Sequence, residues 1–479
     1  VNLRKRKKYS VIYLQICEFL SDGTVAEVFR KFAVIFVLLL FLTAALTGCG
    51  TLGRANKIAS ISLWHNYGGQ LKETMDSMID EFNETVGLEE GIIINVTSIS
   101  GSASIHEKLL MAANRDPGAP SLPDITTAYP KTAFMLAEKG LLADLSRLFS
   151  QEELSAYVLA FLQEGLLDNK LYVFPTAKST EVLFLNKTIF DRFTKDTGVT
   201  VNDLQTFEGI KRAADLYYKW SGGKMFFMAD SLFNLTLNCY RQFGESFILA
   251  DSLNLQSPVF KKVWDVYFKP AVLGHTAIFD GYATDLARTG DIICSVGSTA
   301  GISFFSSTVT YPDNTSETVD WTVLPYPVFE GGGKAVVQRG AGMSIIKSGP
   351  ETEKKAAVFL EWFTRPENNI RFVASTGYLP VTKEAFNQIM HGEYEADDDK
   401  ISELRNITKA MQEGYEFYIP PVVEGLDGLQ SQYESSFRAA AANASAAYIK
   451  SNDPEAVESI VENAYNEFVQ NMTAVAGAD

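Results

Sequence analysis

From position 58 onward the hydrophobic pattern switches repeatedly between a period of two residues and a period near 3.6. Ile58 to Trp64 alternates like a half-buried strand and Tyr67-Gly68-Gly69 makes a turn. Leu71, Met75, Met78, Ile79 and Phe82 then recur on one helix face. Gly91 to Val96 predicts a second strand, followed by a Ser/Gly loop and a helix around Ile105 to Ala113. Pro123 to Thr126 predicts a third short strand and Thr132 to Glu138 the next helix. Strands alternating with helices imply parallel pairing, so this half reads as an α/β lobe. A second alternation starts near Leu171 to Pro175. It runs through an apolar strand at Val182 to Leu185, helices at 207–220, 232–247 and 259–269, an apolar strand at Asp291 to Val296 and the turn Gly297 to Gly301. Trp321 to Pro325 predicts a connecting strand, Gly331 to Gly333 a flexible turn and Met343 to Ile346 a returning strand; the tail after Tyr378 is largely helical.

Ahead of this pattern the chain reads differently. Arg30 and Lys31 precede a stretch without charge, Phe32 to Leu46, and Thr47 and Gly48 then lead to Cys49. Charged, apolar and small-residue regions in that order predict a secretory signal. Leu46-Thr47-Gly48-Cys49 resembles a bacterial lipobox, in which the cysteine thiol takes a lipid and becomes the mature N-terminus. The alternative is a membrane-spanning helix, for which about 20 apolar residues suffice. In that case Thr47, Gly48, Gly50, Thr51 and Gly53 would sit in hydrocarbon. Val28 would serve as an initiator and leave a short basic segment before the apolar one. The expectation is a leader over residues 1–48, a lipid-anchored linker over 49–57, and an exported globular part tethered to the outer side of a membrane.

That part is too long for one core of ordinary size, so two lobes are expected. The chain carries a net charge of −16, which becomes −20 once the first 48 residues, with seven Lys/Arg and three Asp/Glu, are set aside. An acidic surface argues against nucleic acid as a partner and against adhesion to anionic lipid. Cys239 and Cys294 lie in apolar surroundings and read as buried thiols, a disulfide in an oxidising compartment being the alternative. His65, His106, His275 and His391 are scattered without metal-ligand spacing, so no metal or other cofactor is expected.

The order of several segments carries a resemblance. Leu63 to Gly69, Pro123-Asp124-Ile125, Leu171 to Pro175, Leu183 to Lys187, Gly297 to Gly301, Phe359 to Glu367 and Thr376 to Val381 follow one another as in the family 1 extracellular solute-binding proteins of ABC importers. The chain therefore resembles that family across nearly its whole mature length. The resemblance implies an α/β type II periplasmic-binding-protein fold, two lobes around a ligand cleft joined by crossing strands. It places lobe I at 58–177 and 325–376 and lobe II at 182–321 and 377–479. It implies a monomeric binding subunit rather than an enzyme, with a sugar or oligosaccharide as ligand and the transmembrane permease subunits as partners. The Trp64-His65 start, the Ser298-Thr299-Ala300 turn and Thr376 to Pro380 are similar to the glycerol-3-phosphate-binding branch. The stretch matching that branch's basic segment, Gly414 to Gly428, contains no Lys or Arg, which argues for a neutral ligand.

Ligands of α/β folds bind at the carboxyl ends of strands, and the candidate contacts cluster there. Trp64, His65 and Tyr67 surround the first strand end, where an aromatic face suits the C–H face of a sugar; core packing is the alternative for Trp64 and turn capping for His65. Ser102 precedes a helix and reads first as an N-cap. Tyr129 follows the third strand, and Asp124 is expected to anchor the strand end. Glu181 falls where the family's chain crosses between lobes. Ser298 and Thr299 open a helix whose free N–H groups would hold a polar or anionic group. Arg339, beside small residues, would fork onto carboxylate, phosphate or vicinal hydroxyls, or form a structural salt bridge. Tyr378 is a further candidate aromatic contact, with lobe packing as the alternative. A surface glycoside hydrolase would need two carboxylates across a cleft, and no single predicted loop pairs two acids with the aromatics.

Overall fold

The computed structural model describes residues 58–99, 101–250, 252–340, 342–374, 376–390, 399–421 and 425–475, with Glu27 and Val423. Cys49, the apolar run before it and the linker after it lie outside the described residues. From Ala59 onward the chain forms one unit. Its first sheet begins with strand β1 (Ala59–His65), helix α1 (Gly69–Glu84), β2 (Ile92–Ser98), α2 (Ser102–Asn114), β3 (Ile125–Ala128) and α3 (Pro130–Glu138). β4 (Phe174–Pro175) leads out of this lobe. The second sheet is built from β5 (Glu181–Asn186), β6 (Phe227–Ala229), β7 (Cys294–Ser298) and β8 (Trp321–Leu324), with α4 (Leu232–Gln242) after β6. The chain then forms β9 (Ala335–Val337) and returns to the first sheet as β10 (Gly342–Ile345). After helices Pro350–Thr364, Pro366–Ala374, Lys383–Met390 and Asp399–Gly414, it ends with β11 (Glu416–Tyr418), α5 (Leu426–Ser451) and α6 (Val457–Val475).

The first sheet has the order β2-β1-β3-β10-β4 and the second β8-β5-β7-β6. β1 runs parallel to β2 and β3, and β10 antiparallel to β3. β6 runs parallel to β7, and β5 antiparallel to it with Glu181 opposite Ser298. One end of the first sheet thus carries His65, Ser98, Ala128 and the start of β10; one end of the second carries Ala229, Ser298 and the start of β5. Two segments, Lys178–Thr180 and Gln338–Gly340, join these two ends and bridge each other through Ser179 and Arg339, with N···O distances of 2.8 and 2.7 Å. Gly340 is required here. Its φ is +106°, and a Cβ would lie 2.7 Å from the Ala177 carbonyl oxygen.

The periodicity read from the sequence is explained by two main cores. Ile61 and Leu63 of β1 and Met75, Ile79 and Phe82 of α1 are buried against Phe359, Trp362 and Met343. Each such side chain contributes about 1.5–3 kcal/mol. The second core collects Leu183, Phe184, Phe190, Tyr267, Cys294, Tyr433 and Phe437. Cys239 and Cys294 are free, buried thiols whose pKa values burial pushes up.

Tyr326, Phe329 and Val336 belong to the second core, because Phe207 takes both aromatic rings at 5.6 and 4.6 Å between centroids. Val381, Ala385 and Ile389 belong to the first, where the Val381 N–H is held by Asn369 Oδ1 and the Lys383 N–H by the Ala156 carbonyl. The helix expected over 232–247 stops at Gln242, and β11, which pairs in parallel with β9, was not expected.

Candidate functional site

The strand ends that face the crossing segments bring together side chains far apart in sequence. Arg339 lies on the crossing segment, with Nη1 2.9 Å from Glu181 Oε1 at the start of β5. Asn234 Nδ2 donates to the same oxygen at 2.8 Å and Asn238 Nδ2 to Oε2 at 3.2 Å, both from α4. The Glu181 side chain is 3% exposed and that of Arg339 28%, so the carboxylate is the inner partner and the guanidinium the outer one. Burial works against the Arg339 charge, but the fields of Glu181, Tyr129, Asp230 and Tyr378 outweigh it and hold its pKa above the ordinary value. Deeper in the crossing, Lys178 is buried with Nζ 3.2 Å from Glu164 Oε2, to which Gln338 Nε2 also donates.

Around Arg339 stand tyrosines from the first lobe. Tyr129 and Tyr378 are half-buried, and burial pushes both phenols up; Arg339 acts on each in the opposite sense, and Tyr282 of the second lobe adds to the shift of Tyr129. The Tyr378 ring lies on Phe372 at 6.2 Å and edge-on to Tyr67 at 6.1 Å. The turn before it is fixed by Gly377, with φ +72°, whose missing Cβ would meet the Thr299 carbonyl at 2.5 Å. From the second lobe, Asp230 follows β6 directly. Its Oδ1 accepts the Ala283 N–H at 2.7 Å, while Oδ2 accepts no hydrogen bond among the described residues. Burial pushes the Asp230 carboxyl up to about 6, with Glu181 and Asp285 adding to the effect and the Ala283 N–H and Arg339 opposing it.

Of the residues anticipated from sequence, Arg339, Glu181, Tyr129 and Tyr378 converge. Others serve the framework. Trp64 is 8% exposed and packs with Ile99, Ile105 and Leu109. His65 is fully buried: Nδ1 accepts the Tyr67 N–H at 3.2 Å and Nε2 faces Asp76 at 3.6 Å. Burial lowers its pKa, so it is a neutral turn residue. Tyr67 is 3% exposed, its ring covered by Phe372 and Tyr378. Ser102 opens α2, but the cap is Gly101 and the Ser102 side chain lies outside the described ones. Ser298 caps a 3-10 helix of six residues by accepting the Ala300 N–H at 3.3 Å. The Thr299 N–H donates to the Thr180 carbonyl at 2.9 Å, so the first N–H groups there are taken and do not form the free anion cradle expected. Asp124 Oδ2 does anchor its strand, accepting from Ser62 N–H and Oγ. Asp230, Asn234, Asn238 and Tyr282 were missed. The run Phe-Met-Ala-Asp-Ser, a strand end followed by the Ser231 cap, was the available signal for Asp230.

Among the described residues no group of His, Cys, Asp and Glu is arranged to hold a metal ion, and no helix is long and apolar enough to cross a membrane. A cavity of about 310 Å³ lined by Leu142, Tyr172 and Lys347 lies beyond Ile345, at the end of β10 away from the crossing.

Residues 77–401 match the family model described as bacterial extracellular solute-binding protein. The chain belongs to that family. No curated protein matches it. Among solved structures it is similar to UgpB of Mycobacterium tuberculosis in complex with glycerophosphocholine, at 17% identity and TM-score 0.66, covering 87% of this chain and 98% of that one. It is similar to maltose-bound MalE3 of T. maritima at 14% identity and TM-score 0.63, covering 85% and 98%. It also resembles the cyclic alpha-maltosyl-1,6-maltose binding protein of Arthrobacter globiformis at 16% identity and TM-score 0.61, covering 86% and 99%. The solute-binding protein thus has the type II periplasmic-binding-protein fold expected from its sequence, and as a member of this family it binds solutes rather than converting them.

Proposed function

We propose that this solute-binding protein captures a sugar or oligosaccharide between its lobes and delivers it to the transmembrane subunits of an ABC importer. The observation that carries this reading is the mixed polar rim. The hydroxyls of Tyr129 and Tyr378, the outer face of Arg339 and the free Oδ2 of Asp230 offer donors and acceptors together, as a polyol requires. A second reading, glycerol 3-phosphate or a glycerophosphodiester, is favoured by the guanidinium in that rim and by the likeness to the glycerophosphocholine complex. Calorimetric titration of the exported chain with maltotriose, cyclic maltooligosaccharides, sn-glycerol 3-phosphate and glycerophosphocholine separates the two. The first reading expects an oligosaccharide near micromolar affinity, about −8 kcal/mol, with little dependence on salt. Tight, salt-sensitive binding of a phosphate ester alone overturns it.

The delivery step is expected to take place from a lipid-anchored state, with Cys49 as the attachment point after removal of residues 1–48. The lipobox spacing supports this. Cys49→Ala should abolish metabolic incorporation of labelled palmitate and leave the protein unprocessed or released from membranes. Absence of label on the unsubstituted chain would instead favour an uncleaved span at Phe32 to Leu46.

A further inference from the structure

We infer that Glu181 sets the charge of the ligand: by neutralising Arg339 from the inside it makes the cleft select uncharged polyols and turn away their phosphorylated counterparts. This deepens the carbohydrate reading and rests on it. Arg339 is the cation at the rim that an anion would seek, and it is already committed, Nη1 to Glu181 Oε1 at 2.9 Å. Glu181 cannot swing away to release it. Its two oxygens are also held by Asn234 and Asn238, and Asn238 Oδ1 accepts the Val337 N–H at 2.7 Å, which ties α4 to the end of β9 just before the crossing segment. The second cation of the crossing, Lys178, is buried on Glu164 and out of reach. Asp230, within the field of both Arg339 and Glu181, adds a further acid with an open oxygen. One carboxylate is therefore paired with the guanidinium and a second acts on it through its field. A phosphate placed there would meet net negative charge in a poorly solvated site, whereas sugar hydroxyls can donate to Asp230 Oδ2 and accept from the remaining Arg339 N–H groups.

The arrangement predicts the result of removing the inner charge. Glu181→Gln keeps the shape and leaves acceptor and donor atoms for Asn234 and Asn238, while Arg339, the more exposed partner, becomes available to an anion. With sn-glycerol 3-phosphate and inorganic phosphate as probes, the unsubstituted protein should bind no tighter than about millimolar. Glu181→Gln should gain at least about tenfold affinity for sn-glycerol 3-phosphate, the gain shrinking as salt is raised and vanishing in Glu181→Gln/Arg339→Gln. Should Glu181→Gln prove unfolded by circular dichroism, Asp230→Asn reads the same balance without touching the ion pair and should raise anion affinity several-fold. Salt-sensitive phosphate binding by the unsubstituted protein, or no gain in a folded variant, overturns the assignment. These anion measurements stand apart from the oligosaccharide titrations. Failure of every sugar to bind would sink the carbohydrate reading even if the gain is seen, and sugar binding without the gain would sink the role of Glu181 alone.

Discussion

At the residue scale, the ionisable groups of the cleft behave as their neighbours dictate. Glu181 and Arg339 satisfy one another, and Asp230 is the carboxylate left partly unanswered. Because its folded pKa is raised from 3.8 to about 6, the native state binds this proton more tightly than the unfolded chain. Its contribution to stability is present at low pH and declines as pH rises from about 4 to about 6, with a slope of at most about 1.4 kcal/mol per pH unit. Asp230→Asn removes that slope. The difference in unfolding free energy between the unsubstituted protein and the variant, measured in urea, should move against the unsubstituted protein across this window and stay level above it. A constant difference would show that Asp230 titrates as an ordinary aspartate. Asp230 was hard to find in the sequence because the burial that raises its pKa is a tertiary property, and the charges that act on it most, Arg339 lowering the pKa and Glu181 raising it, lie 109 positions after it and 49 before.

At the element scale, the crossing segments carry the geometry of the site. Ser179 and Arg339 exchange backbone hydrogen bonds only because Gly340 lets the two segments approach. Gly340→Ala would combine a left-handed backbone with a Cβ 2.7 Å from the Ala177 carbonyl and 2.9 Å from Lys178 Cα. A loss of about 1–3 kcal/mol in urea unfolding is expected. An unchanged midpoint would mean that the crossing accommodates the added methyl without strain. The strands and helices themselves were largely legible. β1 and α1 appear within one or two residues of the pattern that predicts them, since burial on one face leaves a period of two or 3.6 in the sequence. β11 was not legible: its three residues, Glu416–Tyr418, gain their pairing with β9 from another part of the chain.

At the scale of the molecule, two cores meet at a polar crossing where the side chains of Lys178, Glu164 and Glu181 are buried and that of Arg339 is half-buried. A ligand that contacts both rims stabilises both lobes by mass action, by about 2.7 kcal/mol at a hundred times its dissociation constant. Hydrogen exchange should then slow in the turn after β6 and around Tyr129 alike when the oligosaccharide found by titration is added. Protection confined to one lobe would place the ligand outside the cleft.

The sequence by itself determined the alternation of strands and helices, the family and its fold, and pointed to four residues that converge at the strand ends, because hydrophobic period, turn chemistry and segment order are local properties. Only the tertiary structure decided which polar residues remain open to a ligand. His65, Tyr67 and Thr299 sit at strand ends as expected, yet the packing of Asp76, Phe372 and Thr180 against them closes them off. Arg339 and Glu181, 158 positions apart, reveal their charge balance only once two lobes bring them within 2.9 Å. Exposure and pairing depend on what the rest of the chain places beside a residue, and the surrounding sequence carries no record of that.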